Sequence, residues 1–143
     1  MSVLGSLWNA SAGGRSSSGR TYLFVSSAEP LAAAEAVWSA PAPIDLCVMG
    51  PSEASREAAR FACAGRPVRM DEEPLLAVRR PDESDIDVAA RQADALRALY
   101  ALDTRSALVI WDDGAPIAES PRLVDEQWLL YMAELIERGL PLP

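Results

Sequence analysis

The chain has 143 residues, half of them hydrophobic, and a formal net charge of −8. That length predicts one domain with a real core. The acidic balance works against nucleic acid and anionic membranes as partners, and no apolar run reaches the ~18 residues needed to span a bilayer. Histidine is absent, and all 13 basic residues are arginines. Met1 to Trp8 has no early Lys or Arg, and its apolar stretch is too short for a signal peptide, so a cytoplasmic location is expected. Cys47 and Cys63 belong to no metal-binding spacing and are expected to be buried, reduced thiols.

Residues 1–20 read as a Ser-, Gly- and Arg-rich arm, flexible or docking, in which Leu4, Leu7 and Trp8 form a small apolar hook. Residues 21–143 read as the single folded domain. Thr21 to Val25 is rich in β-formers and predicts a strand. Leu31 to Trp38 is Ala-rich and helical, stopped by Pro41 and Pro43. Ile44 to Met49 predicts a second strand. Gly50-Pro51 turns the chain, and Ser52 caps a helix running to about Ala64. Val68 centres a short third strand at best. Residues 71–87, acidic and broken by Pro74 and Pro81, read as loop.

Ser84 and Asp87 form a variant capping box for a helix to about Leu102, with Val88, Ala95, Leu96 and Leu99 on one face. Ala107 to Trp111 is a buried strand. Ser120-Pro121 predicts a helix start, Gly139 its end. Val124, Trp128, Tyr131, Met132 and Leu135 recur at the spacing of one helix face, as core or otherwise as a subunit face. Strands alternating with helices predict a three-layer α/β domain with a mainly parallel central sheet flanked by helices. Ligands in such sheets bind at the carboxyl ends of strands. Ser26-Ser27 and Asp112-Asp113 hold those positions.

Leu23-Phe24-Val25-Ser26-Ser27-Ala28-Glu29-Pro30 resembles the "LFVRHAEP" signature of the histidine phosphatase (phosphoglycerate mutase-like) superfamily. Leu108 to Ile117 resembles its "VLVVSHGAPI" signature. Between them, Gly50 to Ala59 resembles the weaker "SPLxRAxETA" motif. The resemblance covers about residues 21–117 and implies a reduced phosphoglycerate mutase-like fold. It also implies that the chemical residues are gone. Ser26 and Ser27 stand where the family has a phosphate-clamping Arg and the nucleophilic His. Ala54 replaces a phosphate-binding Arg, and Asp113 replaces the second His. Val78 lies nearest the position of the family's general-acid glutamate.

The consequences are electrostatic. A phosphoryl acceptor must be neutral at working pH, as imidazole is. The transferred group needs cationic and N–H donors around it. Arg56 lies two residues beyond Ala54, about 200° round a helix, and cannot simply substitute. A carboxylate about 4 Å from a phosphate costs on the order of 4 kcal/mol at an effective dielectric near 20. Binding of phosphate esters is therefore disfavoured.

Ser26 or Ser27 as a new nucleophile would have no histidine or lysine as base. Glu29, Asp112 and Asp113 are oxygen ligands of the kind Mg²⁺ or Ca²⁺ accepts, but two Asp residues before Gly114 read as a turn. No metal or other cofactor is expected. The chain is expected to be an inactive histidine phosphatase-like protein that binds, regulates or assembles, as a homo-oligomer or with a protein partner. The alternative is a hydrolase with a remodelled pocket of Ser26, Ser27, Glu29, Asp112 and Asp113.

Overall fold

The computed structural model describes residues 19–40, 43–112 and 121–142. The arm expected over residues 1–20 lies outside them up to residue 18. Among the described residues, five strands and four helices form an α/β domain. The strands are β1 (Thr21–Ser26), β2 (Leu46–Met49), β3 (Arg69–Glu72), β4 (Ser106–Trp111) and β5 (Arg122–Asp125). The helices are α1 (Pro30–Ser39), α2 (Glu53–Cys63), α3 (Asp85–Ala101) and α4 (Glu126–Glu137). A 3₁₀ turn spans Pro74–Leu76.

The sheet order is β3-β2-β4-β1-β5. β1 pairs parallel with β4, and β2 pairs parallel with both β4 and β3. Among the described strands, only β5 runs antiparallel, along β1. The mainly parallel sheet read from the sequence is therefore present, with one antiparallel edge.

Strand alternation sorts the core into two layers. Leu23, Val25, Cys47, Met49, Leu108 and Ile110 face one side, packed against small residues of α1 and α2 such as Ala33, Ala36, Ala58, Ala59 and Ala62. Tyr22, Phe24, Leu46, Val48, Val109 and Trp111 face the other, under Leu96 and Leu99 of α3 and Leu129, Met132 and Ile136 of α4. β4, with every residue buried, is the centre of the molecule. Cys47 and Cys63 are both free thiols and both buried, as expected.

Two helices start where the sequence places them. Ser52 Oγ accepts from the Ser55 N–H, and Ser84 Oγ accepts from the Asp87 N–H. The last helix does not. Arg122–Asp125 forms β5, and the α4 N-cap is Asp125, whose side chain accepts from the Trp128 N–H. Val124, placed on the helix face by its spacing, is a strand residue of the α3/α4 layer. The buried face of α4 is Leu129, Met132, Ala133 and Ile136. Trp128 flanks it, and Tyr131 is 49% exposed. The third strand starts one residue after Val68 and extends to Glu72, into the stretch read as loop.

Candidate functional site

Parallel pairing sets the carboxyl ends of β1, β4 and β2 side by side. Ser26 is opposite Trp111, and Met49 is opposite Ile110. Just beyond these pairs, the Ser27 N–H donates to the Trp111 carbonyl at 3.0 Å and the Gly50 N–H donates to the Ile110 carbonyl at 2.9 Å. Three of the sequence-marked segments therefore converge on one edge of the sheet: Ser26-Ser27, the start of α2 with Ala54, and Asp112.

Asp112 is the centre of that edge. It is 3% exposed. Its Oδ1 accepts from Ser52 Oγ at 2.6 Å, from Ser55 Oγ at 2.5 Å and from the Ser52 N–H at 3.4 Å. The first turn of α2 thus closes on a carboxylate from the neighbouring strand. Unpaired N–H groups and the helix dipole favour negative charge at that place. The Asp112 N–H donates to the Leu76 carbonyl at 3.3 Å, which ties the 3₁₀ turn to the same point.

Gly50 makes the approach feasible. A Cβ there would lie 2.8 Å from Asp112 Cγ and 3.0 Å from the Leu76 oxygen. The glycine read from sequence as a turn residue is required by close contact.

Ser27 is buried. Ser26 Oγ accepts from the Ala28 N–H at 3.2 Å, closing the turn after β1. Glu29 is exposed and precedes α1. Its N–H donates to the Ser26 carbonyl, and its own carbonyl accepts from the Ala33 N–H. Ala54 is exposed on the first turn of α2, and Val78 is exposed after the 3₁₀ turn. Asp113 lies outside the described residues, as does Ser120.

Arg56, two residues from Ala54, points to the edge strand. Its Nε donates to Glu72 Oε1 at 2.7 Å, and this contact holds the guanidinium above its ordinary range and Glu72 below its own. Among the described residues no three His, Cys, Asp or Glu side chains group as metal ligands would.

Arg91 organises the wall of the site. It grips Glu83 with Nε and Nη2 at 2.9 and 2.7 Å, and its Nη1 donates to the Leu75 and Ala77 carbonyls at 3.1 and 2.7 Å. The Arg91 fork and the Arg80 N–H hold the Glu83 carboxyl down to about 2. A guanidinium suits this task because its planar donors can serve several oxygens at once.

A hollow of about 240 Å³, lined by Asp125, Gln127, Trp128 and Tyr131, lies at the opposite edge of the sheet. Asp125 is paired with Thr21 at the start of β1 there.

Sequence reasoning missed Ser55 altogether and gave Ser52 only a capping role. The available signal was the pair Ser52-x-x-Ser55 opening a helix, together with an Asp immediately after a buried strand. No family model, no curated protein and no solved structure matches the chain.

Proposed function

We propose that this chain is a catalytically inactive histidine phosphatase-like protein, acting as a binding, regulatory or assembly module that self-associates. One observation carries the reading. The Asp112 carboxylate sits on the first turn of α2 and accepts from Ser52 and Ser55, at the strand-end site where an open α/β sheet would take a ligand. An anion arriving there meets a buried negative charge already holding those donors. The convergence of the segments bearing Ser26, Ser27, Ala54 and Asp112 supports the resemblance that the sequence motifs bear to the family.

The rival reading is a hydrolase at the same edge, favoured by the hydroxyl–carboxylate contacts of Asp112. Two features weigh against it. Ser55 is fully buried. The Asp112 oxygen that would take its proton is also already shared with the Ser52 hydroxyl and N–H.

Assays with p-nitrophenyl phosphate and p-nitrophenyl acetate, with tungstate binding followed by calorimetry, test the reading. No turnover and no tungstate binding are expected. Ester turnover abolished by Asp112→Asn would establish the hydrolase instead. Tungstate binding to the wild-type protein would overturn the occupied-site argument.

A further inference from the structure

Strand β3 ends the sheet, and its charges are arranged for a copy of itself. Its inner side bonds to β2: the Arg69 N–H donates to the Asp45 carbonyl at 3.3 Å and the Glu73 N–H to the Met49 carbonyl at 2.8 Å. With a strand period of two, the backbone groups of Met70 and Glu72 point away from β2, along the free edge. Among the described residues no strand pairs there.

The side chains divide in the same way. Arg69 and Asp71 are in register with Leu46 and Val48, so they lie on the α3/α4 face, where they pair with each other at 3.4 Å. Met70 and Glu72 lie on the α2 face, with Glu72 held by Arg56 and Met70 still 38% exposed.

We infer that β3 pairs antiparallel with the β3 of a second copy, about a two-fold axis at Met70. This rests on the self-association in the proposed function and names its surface. A two-fold axis perpendicular to the sheet preserves the faces, so only residues on the same face can oppose one another. The axis must then pass beside one residue. At Arg69 it opposes two arginines. At Asp71 it opposes two aspartates. At Glu72 it opposes two glutamates, and sets Asp71 against Glu73 of the second copy. At Met70 it sets each Arg69 against Asp71 of the second copy, twice over. Only that register opposes unlike charges and no like ones.

Backbone geometry agrees with it. Met70 directs its N–H and C=O outward, so the two Met70 residues exchange main-chain hydrogen bonds. The Arg69–Asp71 pairs then fall at the narrow positions, where opposed side chains are closest. Glu72 opposes Val68, whose N–H is already taken by the Arg66 carbonyl at 2.9 Å, but whose C=O can accept the Glu72 N–H. Charges on an edge strand ordinarily discourage pairing. Here their alternation discourages every register except one. The strand has four residues, well short of the ~800 Å² per partner of a stable interface, so the dimer is reversible and weakened by salt.

Sedimentation velocity of the full chain over a concentration series tests this, with circular dichroism confirming the fold of each variant. The wild-type protein should dimerise. Asp71→Arg and Arg69→Asp should each raise the dissociation constant at least about tenfold by opposing like charges. An equimolar mixture of the two variants should associate again, because cations then face carboxylates across the axis. A wild-type protein that is monomeric throughout overturns both this inference and the self-association reading. A dimer unaffected by the single variants overturns the β3 pairing alone. So does a mixture that fails to associate although the wild type dimerises.

Discussion

Gly50 has no side chain because Asp112 occupies the space one would need. Replacing it with alanine must displace a buried carboxylate that holds Ser52 and Ser55. Hydrogen bonds to charged groups are worth about 1.5–3 kcal/mol each, so Gly50→Ala should lose about 2–3 kcal/mol of stability. Gly139 is the control. It has φ +71°, and an added Cβ there meets nothing within 4 Å, so its alanine variant carries only left-handed strain of about 1–2 kcal/mol. Urea denaturation compares the two. A Gly50→Ala loss no larger than that of Gly139→Ala would show that the Asp112 contacts contribute little. At this scale the sequence was legible where a residue acts on its neighbours in the chain, as the caps Ser52 and Ser84 do. It was opaque for Ser55 and Gly50, whose partner Asp112 lies far along the chain.

Elements were legible where their pattern was unmistakable, whether by length or, in the four-residue β2, by an unbroken apolar run. α3, with 17 residues, repeats its apolar spacing often enough that Val88, Ala95, Leu96 and Leu99 mark the buried face. β5 has four residues, too few for alternation to emerge, and its Val124 stands four residues before Trp128, so it fits a helical pattern equally well. Asp125, which ends the strand and caps the helix, was the better start signal. Within the stretch read as loop, Asp71 and Glu72 belong to β3 and Asp85 to Asp87 open α3. The segment between them is fastened by Arg91 on α3 through the Leu75 and Ala77 carbonyls and the Glu83 carboxylate, contacts its own pattern does not announce.

That fastening has a pH signature. Glu83 is held at about 2, chiefly by the Arg91 hydrogen bonds and then by the Arg80 N–H, against about 4.3 in an unfolded chain. A carboxyl depressed on folding stabilises fully above its unfolded value and loses that contribution as pH falls toward its folded one. Glu83→Gln should therefore be less stable than wild type at pH 7, and the difference should shrink between about pH 4.5 and pH 2. Denaturation at pH 7 and pH 3 checks it. A difference that stays constant would mean Glu83 acts through packing and not through charge.

For the whole molecule, alternation of strands and helices carried the architecture, because a parallel sheet needs a crossover between its strands and each crossover here is a helix. The order of the strands is another matter. It depends on which faces the helices cover, and the chain folds α1 and α2 over one layer and α3 and α4 over the other. The two thiols report on that layering as a unit. Cys47 is in β2, between β3 and β4, and Cys63 is in the last turn of α2. Contact with Cys63, then burial, pushes the Cys47 thiol well above the ordinary thiol range. Cys47 has no exposed surface, so its sulfur meets a reagent only when α2 lifts from the sheet. Cys63 instead keeps a small exposure at the helix end, and the Cys47 contact holds its thiol below the ordinary range. A stability of even 5 kcal/mol keeps the open fraction below about one in a thousand. In a Cys63→Ser variant, labelling of Cys47 by dithionitrobenzoate at pH 8 should therefore run at least about a thousandfold slower than in urea. The rate should rise with urea along the circular dichroism unfolding curve. A Cys47 thiol that reacts quickly in the folded protein would place the α1/α2 layer in a separate, weaker cooperative unit, and the sheet would then be held from the α3/α4 side alone.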